Sequence, residues 1–322
     1  MLLARDILFF GGKGGVGKTT LAAAWAARCA REGTRTLLVS TDPAHSTSDI
    51  LETRLGPDVR RVVAGLWAME IDPEVETDRF IEGVKERIAD STAPRLLAEV
   101  ERQIDIARLS PGAEEAALFE RFTRLIEQEG ESFDRIVFDT APTGQTLRLL
   151  SLPEHMGAWI GGLIQQRRKV TALGRMWRRV AGASAAPERP TTDRVLRALE
   201  ERRDLFRRAR QTLTNGERTG FVFVTVAERL PVLETEKAVG TLARHGIPIA
   251  GVVVNRILPE EASGDFTSRR RELERRALER IERTFGGIPL LRVPMADRDL
   301  VGLDSLVRLA DHLRPTGPGG EP

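Results

Sequence analysis

One cysteine, Cys29, occurs in the whole 322-residue chain. An intramolecular disulfide is therefore excluded, and so is a cysteine-rich metal site within one chain. Cys29 falls in an Ala-rich helical stretch, where a small buried thiol is the plain expectation. Tyrosine is missing entirely. Basic residues are not interleaved with a stacking platform, so nucleic acid is not expected as a partner. A surplus of one charge is also missing. The formal net charge is only +2, which points to no acidic partner for the chain as a whole. The longest apolar run, Met156–Ile164, falls far short of the roughly 20 residues a membrane span requires. Met1–Asp6 runs straight into a strand-like segment, so no signal peptide is expected. These absences suit a cytoplasmic protein, with peripheral contact to a membrane left open.

What is present is an ordinary globular composition, 41% hydrophobic and 30% charged. The length suits one large domain or a domain with a sizeable insertion. Short apolar or β-branched runs at Ile7–Phe10, Arg35–Ser40, Arg135–Asp139, Phe221–Val226, Ile249–Asn255 and Pro289–Val293 predict strands. Helix-patterned segments, beginning with Thr20–Glu32, separate most of them. Strands alternating with helices indicate a mostly parallel sheet covered on both faces, a three-layer α/β sandwich. Two long stretches break the rhythm. Residues of about 74–129 and 151–215 read as helical and predict a helical subdomain within a single domain spanning 1–313. Ala181–Pro190 reads as a mobile loop, and 314–322, rich in Pro and Gly, as a flexible tail. No internal repeat and no second P-loop are found.

Gly12-Lys13-Gly14-Gly15-Val16-Gly17-Lys18-Thr19-Thr20 matches the phosphate-binding pattern G-x-x-x-x-G-K-[ST]. Glycines let the backbone wrap phosphates and aim its N–H groups at them. The helix starting near Lys18 adds its positive end. Lys18 is placed to reach the β and γ phosphates of ATP, and the Thr19 hydroxyl to ligate Mg²⁺. Gly12–Gly17 also satisfies G-x-G-x-x-G, the dinucleotide fingerprint, with Asp42 near the distance of a ribose-binding acid. The Lys18-Thr19 pair directly after the last glycine decides against that reading, because a pyrophosphate turn has no use for a lysine there. Lys13 is a second lysine in the loop and would be redundant if both served one nucleotide; a solvated loop lysine is the alternative.

With its early lysine the loop resembles those of the deviant P-loop ATPases, the class of the nitrogenase iron protein and the chromosome-partitioning ATPases. There the early lysine reaches the nucleotide of a dimer partner. Ser40-Thr41-Asp42-Pro43-Ala44-His45 follows the second strand, and Asp139-Thr140-Ala141-Pro142-Thr143-Gly144-Gln145-Thr146-Leu147-Arg148 the third. Acids at strand ends beside a P-loop hold Mg²⁺-bound or attacking water. Together with Glu228–Glu234 and Thr235, Gly251-Val252-Val253-Val254-Asn255 and Pro294-Met295, these segments resemble the arsenite-pump and tail-anchored-protein-targeting ATPase family from Ile7 to about Leu309.

The resemblance implies ATP hydrolysis with Mg²⁺ in a homodimer. It implies Lys13, Lys18 and Asp42 as catalytic residues, Asp42 orienting the attacking water. Thr19, Asp42 and Asp139 would serve the metal and its hydration shell. Gly12, Lys13, Gly14, Gly15, Val16, Gly17, Lys18, Thr19 and Thr20 would hold the phosphates. Asn255 would contact adenine, with Pro294 and Met295 against the base. Gly144 and its neighbours would sense the γ-phosphate. A helix N-cap for Asp42 and a strand-end turn acid for Asp139 are the purely structural alternatives. Gln145 stands where the family usually has His. The zinc-binding Cys-x-x-Cys that ties some targeting dimers is absent, as are the three cysteines that bind arsenite in the pump branch.

Within 151–215, Met156, Trp159, Ile160, Leu163 and Ile164 follow helical spacing, and Leu173, Met176, Trp177 and Val180 continue it. This stretch carries 14 Lys and Arg against 6 Asp and Glu, a surplus of eight. An apolar stripe flanked by cations suits a hydrophobic client helix or a membrane-associated partner; packing on neighbouring helices explains it equally. His45, His155, His245 and His312 are scattered and make no metal-binding pair. Three functions stay open: a targeting factor or chaperone for a hydrophobic segment, the energising subunit of an arsenite or other anion exporter, and a nucleotide switch on a membrane surface or protein partner. The single cysteine favours the first over the second.

Overall fold

The computed structural model describes residues 3, 5–41, 46–89, 102, 105, 108, 113–128, 132–140 and 190–313. Asp42, His45, the Gly144–Gln145 segment, the Met156–Val180 stripe and the 314–322 tail lie outside the described residues.

Eight strands form one sheet. They are β1 (Ile7–Gly12), β2 (Thr36–Ser40), β3 (Arg60–Val63), β4 (Leu66–Glu70), β5 (Arg135–Asp139), β6 (Thr219–Val226), β7 (Ile249–Ile257) and β8 (Leu290–Pro294). Their order is β3-β4-β2-β5-β1-β6-β7-β8. Every neighbouring pair is parallel except β3 with β4. The helices are α1 (Lys18–Arg31), α2 (Ser46–Ile50), α3 (Pro73–Ala89), α4 (Ala113–Gln128), α5 (Pro190–Thr214), α6 (Arg229–Arg244), α7 (Asp265–Phe285) and α8 (Leu303–Leu309), the last followed by a 3-10 turn, Ala310–Leu313. The expected α/β fold with a mostly parallel sheet is therefore present.

β1 lies mid-sheet and every one of its residues is buried. That is why Ile7–Phe10 reads as a continuous apolar run instead of alternating. Phe9 stacks on Phe138 of β5 at 4.7 Å between ring centroids and on Phe221 of β6 at 6.1 Å, both within 8° of parallel. On the other face Leu8 and Phe10 pack with Leu38, Val137, Val222 and Val253 under α1. The run of alanines in α1 suits this position. Ala22, Ala23, Ala24 and Ala26 are fully buried, and small side chains bring helix and sheet backbone close. Gly65, at φ +81°, marks the limit of that approach: a Cβ there would stand 2.9 Å from the Ala30 carbonyl oxygen. α8 packs on α1 from outside, with Leu306 and Leu309 buried in the same core.

Two strands lie beyond those expected. β3 is an exposed edge strand beginning Arg60-Arg61, paired antiparallel to β4. β4 extends the sheet beside β2 and ends on Glu70, which is buried. The Glu70 carboxylate accepts from the Ser48 backbone N–H and hydroxyl, both at 2.9 Å. This fixes α2 to the end of β4.

The chain divides into two compact units. One comprises Met1–Pro73, Arg124–Arg148 and Thr212–Pro322 and carries the sheet. The other comprises Glu74–Thr123 and Leu149–Gln211, and its described residues are helical. Phe119 and Phe206 meet within it at 5.3 Å, and buried Glu76 pairs with Arg79 at 2.8 Å. Among the described residues no helix is long and apolar enough to cross a membrane.

At the N-terminal edge of the sheet, Asp6, Arg35, Asp134 and Arg218 line a cleft of about 310 Å³ with Ile126 and Phe133. Arg35 grips Asp134 through its guanidinium at 2.8 and 3.2 Å and through its backbone N–H at 3.0 Å. Those hydrogen bonds, side chain first, hold the Asp134 carboxyl down to about 2.

Two outcomes follow. Phe9→Ala removes the middle ring of the stack and should lower unfolding free energy by about 3–5 kcal/mol, read from urea denaturation. Asp134 is depressed in the folded state. Its contribution to stability is therefore present above the unfolded value and disappears as pH falls through about 2. An NMR titration should place its midpoint near 2, and Arg35→Ala should return it to the ordinary carboxylate range. A midpoint unmoved by that substitution would refute the pairing.

Candidate functional site

The parallel strands deliver their C-terminal ends to one edge. Strands that follow β1 in sequence lie to both sides of it, β2 and β5 on one and β6 to β8 on the other. In open α/β sheets such a reversal opens a crevice at the carboxyl ends. The β1 end runs into the glycine loop, and α1 begins at Lys18.

Gly17 sits at the helix start with φ 94° and ψ 26°, a left-handed conformation that glycine adopts without strain. No side chain caps α1 and no acid occupies its first turn. The first N–H groups of the helix are thus left to the loop's own cavity. Gly15 is also left-handed, at φ 79°, and nothing lies within 4 Å of where a Cβ on Gly14 or Gly15 would stand. The loop is an open cradle of backbone.

One side chain holds it from beside. Asn255, near the end of β7, donates from Nδ2 to the Val16 carbonyl at 2.9 Å. A Cβ on Gly17 would come within 2.4 Å of that Nδ2, so the contact needs glycine. Beyond Asn255 the strand kinks. Arg256 is at φ 58°, and the β7–β8 register shifts between Val254 and Ile257. Pairing resumes where Met295 N–H donates to the Ile257 carbonyl at 2.8 Å. Pro294 and Met295 then border a cleft of about 460 Å³, with Ser305, Arg308 and His312 on its other wall.

The two lysines of the loop are placed differently. Lys18 is 4% exposed, and its Nζ donates to the Lys13 carbonyl at 3.3 Å. Thr19 is buried next to it. Lys13 turns outward and pairs with Glu234 of α6 at 2.9 Å, both side chains more than a third exposed. Thr20 is half-buried behind them.

Asp139 ends β5 in register with Phe10 on one side and Ser40 on the other. It is fully buried. The Ser40 hydroxyl donates to its Oδ2 at 3.3 Å, and the Thr41 N–H donates to its carbonyl at 2.9 Å. Thr140 returns a hydroxyl to the Phe10 carbonyl at 2.8 Å. β1, β2 and β5 are thereby laced together beside the loop. Thr41 immediately precedes Asp42, which lies outside the described residues.

This donor set fits a magnesium nucleotide: an uncapped helix start, a glycine cradle, a buried lysine, the Thr19 hydroxyl and a buried carboxylate. Among the described residues no three His, Cys, Asp or Glu side chains gather around a common point.

Glu234 and Ser40 are the functional neighbours that residue-by-residue reading passes over. Glu234 belongs to a matching family segment, but nothing local marks it as the partner of a lysine 221 positions earlier. Ser40 sits at the end of an apolar strand, where a polar residue facing the next strand's terminal acid is the only signal.

The family model for anion-transporting ATPases matches residues 5–315. A putative arsenical pump-driving ATPase 2 of Aquifex aeolicus is 32% identical, the match covering 95% of this chain and 98% of that protein. ATPase GET3B of Arabidopsis thaliana is 35% identical over 95% of this chain and 78% of its own. ATPase ASNA1 homolog 1 of Paramecium tetraurelia is 28% identical over 95% and 91%. With a match that spans nearly its whole length laid over a built phosphate loop, the chain belongs to the anion-transporting ATPase family and is an ATP hydrolase.

Proposed function

We propose that this ATPase works as a homodimer whose closure on ATP binds and releases a hydrophobic segment of a client protein. The observation that carries the reading is the division of labour between its two loop lysines. Lys18 is buried in its own loop, where it can neutralise the β and γ phosphates of the nucleotide bound there. Lys13 points out of the loop to an exposed carboxylate. A cation in that position is available to a second nucleotide facing it from another subunit.

In this reading the loop N–H groups and Lys18 bind and orient the triphosphate. Asp42 orients the water that attacks the γ-phosphorus in line with the leaving oxygen. Thr19, Asp42 and Asp139 would hold Mg²⁺ and its waters, and the ion would supply charge neutralisation on the phosphate oxygens. Asn255 both braces the loop and borders the base, with Pro294 and Met295 against the ring. The client would meet the apolar residues between Met156 and Val180, whose flanking arginines suit a helix with an acidic or membrane-proximal end.

The relatives' names divide between an arsenical pump-driving ATPase and GET3-type ATPases. Cys29 weighs against the first role here. It is 1% exposed, Arg135 donates to its sulfur at 3.0 Å, and burial pushes the thiol pKa up. Soft metalloids need several accessible thiolates. Micromolar arsenite or antimonite should therefore leave the ATPase rate unchanged. A several-fold activation abolished by Cys29→Ser would overturn that.

The dimer mechanism has its own test. Asp42→Asn should lower turnover by roughly 10²–10⁴-fold with little change in ATP affinity, as expected for a group acting in the transition state. Lys13→Ala should also lose turnover while Lys18 keeps the nucleotide bound. Mixing the two variants places one intact Lys13 opposite one intact Asp42, and part of the activity should return. Absence of recovery under demonstrated subunit exchange would remove the trans role of Lys13.

A further inference from the structure

Between Ser40 and Ser48 the chain leaves the sheet and comes back to the same place. Ser40 ends β2 in register with Glu70, the last residue of β4. The Ser40 carbonyl accepts from the Ile71 N–H at 2.8 Å. Ser48, in α2, then returns to the Glu70 side chain. Its backbone N–H and its hydroxyl each donate to a different carboxylate oxygen, both at 2.9 Å. One residue thus holds both ends of the excursion, Ser40 by strand pairing and Ser48 through its carboxylate. Asp42, outside the described residues, belongs to this segment by sequence.

The surroundings fix both ends further. The Thr41 N–H and hydroxyl donate to the Asp139 carbonyl at 2.9 and 3.3 Å, and the Ser40 hydroxyl donates to the Asp139 carboxylate at 3.3 Å. On the α2 side, the Leu55 N–H donates to the Ser48 hydroxyl oxygen at 3.0 Å. The Gly302 N–H donates to the Ile50 carbonyl, also at 3.0 Å. Asp42 therefore lies one residue from a pinned backbone on one side and four from α2 on the other. Glu70 itself is 4% exposed. A carboxylate is a costly group to bury merely to cap a five-residue helix, since a serine or asparagine would satisfy the same N–H without a charge. Glutamate adds reach and a second oxygen, which together take both donors of Ser48.

We propose that Glu70 is a positioning residue for hydrolysis, closing the 40–48 segment through Ser48 and so setting the placement of Asp42. The inference rests on the reading of Asp42 as the acid that orients the attacking water, and it adds the residue that steadies that acid. A segment tethered at one end explores many arrangements; tethered at both ends it keeps few. Freedom lost in advance does not have to be lost in the transition state. A cap that serves the fold alone would lower the melting temperature without touching the hydrolytic step. A positioning residue lowers turnover at unchanged nucleotide affinity.

The test measures kcat, affinity for a non-hydrolysable ATP analogue with Mg²⁺, and melting temperature on the full chain. Glu70→Ala should lower kcat by roughly tenfold to a hundredfold, the scale of a small misplacement of a reacting group, with analogue affinity within about twofold of wild type. Ser48→Ala keeps the backbone donor and removes the hydroxyl. It should act in the same direction by a smaller factor, and Ser48→Thr should restore most of the loss. The decisive comparison is a double-mutant cycle. Placed in the Asp42→Asn chain, Glu70→Ala should reduce the residual turnover by less than about twofold, because the group it positions has already lost its function. The same factor in both backgrounds would assign Glu70 to the fold alone and overturn the inference. Wild-type turnover in both Glu70→Ala and Ser48→Ala, with Asp42→Asn impaired, would also overturn it and leave the role of Asp42 standing. If Glu70→Ala does not fold, Ser48→Ala takes its place in the cycle with the same outcomes. Wild-type turnover in Asp42→Asn would remove the reading of Asp42 and this inference together.

Discussion

The hydrogen bond from Asn255 to the Val16 carbonyl ties the phosphate loop to β7, two strands away from the β1 end that launches it. A glycine-rich loop has little conformational preference of its own. Its shape has to be imposed by neighbours, and the buried Asn255 amide is one such tie. The close fit works in both directions. Gly17 must lack a side chain for the amide to reach the carbonyl, and the left-handed turn at Gly17 is what starts α1 at Lys18. Replacing either partner would loosen the segment that aims the helix. The depth of the surrounding core keeps Asn255 in place, since its strand is buried from Ala250 through Val254.

The same economy governs the other strand ends. Asp139 is a fully buried carboxylate, a costly group to bury unless it is partnered. β5 and β2 stop level with Phe10 of β1, so that the Ser40 hydroxyl reaches the Asp139 carboxylate while Thr41 and Thr140 bond to backbone carbonyls of the neighbouring strands. In-register parallel strands make the alignment automatic. Phe9 and its stacked neighbours Phe138 and Phe221 set the register three residues or fewer below the site. Packing in the middle of the sheet is thereby converted into placement at its edge.

How far this was legible in the chain depended on whether the signal was local. β1, β2, β5, β6, β7 and β8 announce themselves because strands buried on both faces are continuous apolar runs. β3 carries the opposite signature, an exposed pair beginning Arg60-Arg61 that alternates with nothing, and its antiparallel pairing needs only one side of β4. β4 is five residues long and contains Trp67, half-buried, and Glu70, whose burial depends on Ser48. Neither feature is visible without the fold. β6 starts earlier than its apolar run because Gly220 is a poor strand former by composition. It is held there by close packing, a Cβ at that position standing 2.8 Å from the Ala250 side chain. The phosphate loop was readable in full since its chemistry is contiguous. The Lys13–Glu234 pair was not, because it spans 221 positions and only the turn of α6 above β6 brings the two together.

On the proposed role of Lys13 in a dimer, an exposed contact with Glu234 suits a lysine that has to move. Both side chains are more than a third exposed. Ion pairs in such surroundings contribute roughly 0–1 kcal/mol, since water screens the attraction and two long side chains lose freedom to form it. A buried pair would be far harder to break, because separation would strand a charge away from water. Glu234 therefore gives Lys13 a defined direction out of the loop at little cost to its release. A multiply charged phosphate arriving from outside would outcompete a single carboxylate of this kind. Lys18 is held by the contrary arrangement. Buried beneath the loop, its Nζ donates to the Lys13 carbonyl at 3.3 Å; among the described residues no carboxylate pairs with it, so it gains most when phosphate enters the cradle. Two lysines five residues apart are thus held in opposite ways, one by an exposed ion pair and the other buried beneath its own loop.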